Sequence, residues 1–131
     1  MSQMLFRQLA ELSRARQARI MSQLIKERKK RELLNYKISQ YQQLQSESYI
    51  AIKTAYQSLT EIPCSSLDDI HHLRLYESAR MRKCLHYEAE AEQAKNALKD
   101  CENAITTLRC TYHQQSMKER KMEYGERLCH R

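Results

Sequence analysis

Residues that make turns are almost missing from this chain: its 131 residues include one glycine and one proline. Tryptophan is absent and phenylalanine occurs once, so the bulky side chains that fill a globular core are scarce as well. Domains rich in loops or strands need turn formers at each reversal. Extended helix is therefore the expected state, with apolar residues enough to cover a seam but not to enclose a catalytic pocket. No stretch approaches the roughly 18 apolar residues of a membrane span. The opening Met1-Ser2-Gln3-Met4-Leu5-Phe6-Arg7 has no apolar signal-peptide core. The five cysteines, Cys64, Cys84, Cys101, Cys110 and Cys129, are an odd number without a CxxC pair, which fits a reducing cytoplasm. Glycine-rich phosphate loops, nucleophile elbows and HExxH are also missing.

What is present is organised around Thr60-Glu61-Ile62-Pro63-Cys64-Ser65-Ser66-Leu67-Asp68-Asp69. Proline fixes φ, lacks the N–H of a helix interior and pushes Ile62 out of the α region. One helix should stop near Ile62. Ser65 or Ser66 can then cap a second, with Asp68 and Asp69 in its first turn, and Ser65-x-x-Asp68 resembles a capping box. The expected fold is all-α: two long helices forming an antiparallel coiled-coil hairpin over 1-131, with helix 1 about 3-62, a bend about 63-66 and helix 2 about 67-127.

The periodicity supports that reading. Leu34, Ile38, Tyr41, Gln45, Ser48, Ile52, Ala55, Leu59 and Ile62 alternate spacings of four and three, a heptad seam. Projected backward it passes through Arg31, Glu27, Leu24, Ile20, Gln17, Ser13, Ala10 and Phe6, with Arg31 and Glu27 weakening it at 26–32. In the second arm Ile70, Leu73, Glu77, Arg80, Cys84, Tyr87, Ala91, Ala94, Leu98, Cys101, Ile105, Leu108 and Tyr112 do the same. Beyond Tyr112 the seam thins to Gln115, Glu119 and Met122, and Gly125 predicts fraying. If the chain reverses at Pro63, residues whose numbers add to about 130 lie opposite one another. Ile20 and Leu24 then meet Ile105 and Leu108, and Tyr41 meets Ala91. Leu5, Leu9 and Leu12 form a second stripe beside the seam, surplus apolar surface that can dock a third element.

The net charge of +7 comes mostly from residues 1 to 62, with 11 Lys/Arg against 5 Asp/Glu, whereas residues 63 to 131 carry 12 against 11. A basic first arm suggests an acidic partner surface, with nucleic acid and anionic lipid as alternatives. Cationic side chains on a solvated helix face are the plainer explanation for much of this charge.

Two constellations invite chemistry and lack the spacing for it. Cys101, Cys110, His113, Cys129 and His130 hold zinc-type ligands, but Cys101 sits over two turns from Cys110 and no second close pair completes a tetrahedral set, so no metal is expected. His71 and His72, near Asp68, Asp69 and Cys64, diverge by about 100° on a helix and cannot share one pocket. No catalytic residue and no cofactor is expected. Tyrosine is the informative aromatic, with eight copies. Tyr41, Tyr87 and Tyr112 fall on the seam, where core packing explains them. Tyr49, Tyr56 and Tyr76 flank it, where an amphipathic ring serves packing and partner binding equally well.

The basic first arm, the central bend and the ending Met117-Lys118-Glu119-Arg120-Lys121-Met122-Glu123 resemble the FliJ/YscO family over the whole chain. These are central stalk proteins of flagellar and virulence type III secretion systems. The resemblance implies a non-enzymatic coiled-coil stalk in the bacterial cytoplasm, at the inner-membrane secretion apparatus. It implies a hexameric export ATPase and an export gate protein as partners, and some members also bind export chaperones. A composite ATPase-ring surface is then expected from Arg14, Arg16, Arg19, Lys118, Arg120 and Lys121, with Tyr49, Tyr56 and Tyr76 as candidates for the gate. A monomer is expected, without nucleic acid or membrane insertion. A coiled-coil adaptor that homodimerises through the same seams is the main rival. Behind it stand a basic helical binder of nucleic acid or membrane surfaces and, with no pocket-building sequence, a small enzyme.

Overall fold

A computed structural model describes residues 2–61 and 66–129. It is all-α, with two long helices packed against each other, α1 (Ser2–Thr60) and α2 (Leu67–Cys129). Among the described residues no helix is long and apolar enough to cross a membrane. Two compact units divide the pair: unit 1 comprises Met1–Glu32 and Lys99–Arg131, and unit 2 comprises Leu33–Leu98.

At the end of α1 the Glu61 N–H donates to Gln57 O at 3.2 Å, and the Thr60 hydroxyl donates to the same carbonyl at 2.8 Å. The helix ends with those carbonyl bonds supplied locally. Pro63, with Ile62, Cys64 and Ser65, lies outside the described residues, so the bend itself does too. The start of α2 is closed reciprocally. The Asp69 N–H donates to Ser66 Oγ at 3.2 Å, and the Ser66 N–H donates to Asp69 Oδ2 at 3.1 Å. The capping box is thus Ser66-x-x-Asp69, one residue beyond the Ser65-x-x-Asp68 expected from sequence. The first helical bond confirms the frame, since the Ile70 N–H donates to Ser66 O at 3.2 Å. Asp68 and Asp69 both lie in the first turn, where their charge meets unpaired amides.

In unit 1 every described seam position is at least half-covered. Ala10, Ser13, Leu24, Cys101, Ile105 and Gln115 are buried. Cross-helix bonds fix how they meet: Gln115 Nε2 donates to Ser13 Oγ at 2.7 Å, and Gln17 Nε2 donates to Ser116 Oγ at 2.6 Å. The Cys101 thiol donates to the Glu27 carbonyl at 3.0 Å. Ser13 with Gln115 and Glu27 with Cys101 both add to 128, close to the antiparallel register read from the seams. α2 also continues through Gly125 instead of fraying before it. A Cβ at Gly125 would sit 2.8 Å from Phe6 Cε1, so glycine lets the ring lie against the helix backbone there.

Unit 2 uses the same seam with different contents. Leu34, Ser48, Leu73, Cys84, Ala91 and Ala94 are buried. The Tyr41 and Tyr87 rings stack across the seam, with centroids 6.4 Å apart and planes at 30°. Their numbers also add to 128. The Cys84 thiol points at the Gln45 carbonyl, 3.8 Å away. Leu34 and Tyr41 of α1 line one shallow groove with Ala94 and Ala97 of α2. Small buried seam residues such as Ala91 and Ala94 let two helices approach closely.

Candidate interaction surface

Unit 1 carries most of the residues that sequence singled out for binding, and its two flanks differ. One flank has ion pairs. Arg14 Nε lies 3.4 Å from Glu119 Oε1, and Arg7 Nε lies 3.8 Å from Glu126 Oε1. The spacing repeats: seven residues separate the arginines and seven the glutamates, one heptad on each helix. The arginine side chains remain mostly exposed, so each pair contributes only about 0–1 kcal/mol, and its use is to neutralise the flank.

On the other flank the cations have no such partners. Arg16, Arg19, Ile20 and Gln23 of α1 share a groove of about 310 Å³ with Thr111 and Gln115 of α2. Among the described residues, neither Arg16 nor Arg19 makes an ion pair. Lys118 follows Thr111 by one heptad and Lys121 lies three residues further on, so both continue this flank along α2. Along α1 the line runs the other way through Leu12, Leu9 and Leu5, which are 45%, 36% and 56% exposed. These leucines are the second stripe noted in the sequence, and among the described residues they remain partly exposed.

The six cations expected to form one ring-binding surface therefore divide. Arg16, Arg19, Lys118 and Lys121 lie on the open flank. Arg14 lies on the neutralised one, held to Glu119, and Arg120 is offset by 200° from Lys118 on the helix, facing away from the groove. The tyrosines divide likewise. Tyr49 and Tyr56, one heptad apart, share a flank of α1 in unit 2, where the Tyr56 hydroxyl donates to the Glu77 carboxylate. That bond to Glu77 is the largest cause raising the Tyr56 hydroxyl above its ordinary pKa of 10.0. Tyr76 is two heptads from Glu90, which lines the groove with Lys37 and Ala97, and so belongs to the other flank. Its ring is covered by the Arg80 guanidinium at 5.2 Å. All three tyrosines are exposed, and they do not make one patch.

The remaining candidates are scattered. Cys101 is buried, and burial first of all, then its contact with Glu27, raises its thiol pKa. A buried, protonated thiol is a poor nucleophile. Cys110 and His113 are exposed, while the side chain of Cys129 and all of His130 lie outside the described residues. Among the described residues no three His, Cys, Asp or Glu side chains are grouped so as to hold a metal ion. His71 and His72 are exposed with their rings tilted by 51°. What the surface offers chemically is recognition: guanidinium and ammonium groups for carboxylates or phosphates, beside an apolar stripe.

No family model, no curated protein and no solved structure matches the chain.

Proposed function

We propose that the protein is a non-enzymatic helical-hairpin stalk of a type III secretion apparatus, which enters the export ATPase ring and couples it to the export gate. The observation that carries this reading is the unpaired cationic flank of unit 1, where α1 and α2 together present Arg16, Arg19, Lys118 and Lys121. A helix pair with such a surface can meet carboxylates in a ring and bias ATP hydrolysis by differential contact, with no catalytic group of its own. Tyr49, Tyr56 and Tyr76 of unit 2 are the surface rings available to the gate, and export chaperones are further partners. The protein then works in the bacterial cytoplasm at the inner-membrane apparatus. Charge reversal at Arg16, Arg19, Lys118 and Lys121 is expected to abolish stimulation of the purified export ATPase. Unchanged stimulation and unchanged pull-down of the ATPase by that variant would end the reading.

A homodimeric coiled-coil adaptor is the second reading. It draws on the exposed Leu33, Tyr36, Leu44 and Ile50 in unit 2. Sedimentation equilibrium separates the two: a monomer across the micromolar range removes the adaptor.

A further inference from the structure

The two flanks of unit 1 start from the same seam and end in different electrostatic states. On the flank of Arg7 and Arg14, glutamates from α2 neutralise the arginines. On the flank of Arg16 and Arg19 no carboxylate does so, and Lys118 and Lys121 enter from α2 with the same sign. Burying Leu5, Leu9 and Leu12 against another apolar surface is favourable at about 25 cal/mol per Å². Bringing a neutral or basic partner there leaves four cations desolvated without counter-charge, which opposes docking. The occupant must therefore be apolar where it meets Leu5, Leu9 and Leu12 and acidic where it meets Arg16, Arg19, Lys118 and Lys121.

Its shape follows from the host. Leu5, Leu9, Leu12, Arg16, Arg19 and Gln23 alternate spacings of four and three, the periodicity with which one helix meets another. A third helix lying along the pair can rest on the shallow groove lined by Arg16, Arg19 and Gln23 of α1 and by Thr111 and Gln115 of α2. A helix presents apolar and acidic side chains at fixed positions that match leucines followed by cations, which a lipid surface does not.

We infer that this flank of unit 1 is the docking site for one acidic amphipathic helix of a partner protein, its apolar residues on Leu5, Leu9 and Leu12 and its carboxylates on Arg16, Arg19, Lys118 and Lys121. The inference needs only the geometry of unit 1 and holds whichever machine the protein serves.

The probe is a labelled peptide of about three heptads with leucine along one face and glutamate beside it, read by fluorescence anisotropy against the full chain. Binding at micromolar concentration is expected, weakening with added salt because the charges are exposed. Arg16→Glu with Arg19→Glu, and separately Leu9→Gln with Leu12→Gln, should each weaken it at least about tenfold, or ~1.4 kcal/mol. All four positions are exposed, and circular dichroism checks that each variant stays helical. Arg7→Gln with Arg14→Gln, on the neutralised flank, should change affinity less than about twofold, near the noise of independent surface sites. A peptide with lysine replacing glutamate should bind the Arg16→Glu, Arg19→Glu chain better than it binds the wild type. Failure of the acidic peptide to bind below about 100 μM overturns the inference. So does equal loss in the Arg7, Arg14 variant. Binding of phosphatidylserine vesicles without the peptide overturns it in favour of a membrane. Self-association abolished by Leu9→Gln with Leu12→Gln, again without peptide binding, overturns it in favour of a second copy.

Discussion

Unit 1 has 16 Lys/Arg against 8 Asp/Glu, a surplus of eight positive charges, whereas unit 2 has 7 against 8 and is nearly neutral. Their seams differ in the same sense. In unit 1 the cross-helix contacts include two amide–hydroxyl bonds, Gln115 to Ser13 and Gln17 to Ser116. In unit 2 the seam contacts are a tyrosine stack, buried alanines and a long contact from the Cys84 thiol to the Gln45 carbonyl, with one cross-helix hydrogen bond, Tyr56 to Glu77, at an exposed edge. Buried polar pairs add little net stability, but they penalise every register in which they are unmatched. Packed alanines and aromatics add stability and discriminate less sharply among apolar alternatives. The same heptad pattern can thus be specified chiefly by polar matching or chiefly by shape, and here the unit with polar matching is also the one with charge left over for a partner.

Three experiments would break or sharpen that contrast. The largest effect should come from Ile105→Ala, at a site 2% exposed in unit 1, which should cost about 2–5 kcal/mol. Hydrogen exchange should rise in residues 1–32 and 99–131 while residues 33–98 keep their protection. An equal rise in both would mean that the two units open as one block. A smaller loss is expected from Ser13→Ala, about 1–3 kcal/mol in urea unfolding, because the buried Gln115 amide loses its acceptor. Adding Gln115→Leu should recover most of it, since a buried apolar pair can replace a polar one. If the double variant is no better than the single, polar matching is not what holds this layer.

The smallest effect lies in unit 2 and depends on pH. The Tyr56 hydroxyl donates to Glu77, and its pKa is raised in the folded state. A raised acid pKa contributes stability fully below the unfolded value of 10.0, and that contribution is lost as pH rises through the folded value. The alkaline limb of the stability curve should therefore be steeper for the wild type than for Tyr56→Phe, with the two curves parallel below pH 9 or so. Identical limbs, or a tyrosinate absorbance titration unmoved by Glu77→Gln, would show that the bond contributes nothing in solution.

Much of this architecture was legible in the sequence because a heptad seam is a long, redundant signal. Every described seam position, from Phe6 to Leu59 and from Ile70 to Met122, is buried or half-buried. Polar seam members such as Ser13, Gln17 and Gln115 are placed on the seam by periodicity, and the cross-helix bonds show how they are paired. Which donor meets which acceptor depends on axial stagger that periodicity does not contain. The cap was displaced by one residue for a different reason: Ser65-Ser66 and Asp68-Asp69 offer two chemically equivalent frames, and local chemistry cannot choose between them. Counting charges by helix hides how the cations are distributed around it. Arg14 and Arg16 are two residues apart in sequence and stand on opposite flanks, one neutralised by Glu119 and one open. Gly125 shows the reverse case, since a residue read as a helix breaker lies inside α2 against Phe6, over a hundred positions earlier, where a Cβ would make the ring shift.

The mutual closure of Ser66 and Asp69 has a use in engineering. Because each of these residues supplies the acceptor for the other's backbone amide, two amides at the start of α2 are satisfied within four residues. The connection between the helices is in that sense a replaceable joint. A linker of different length or composition can be spliced in ahead of Ser66 without removing either bond.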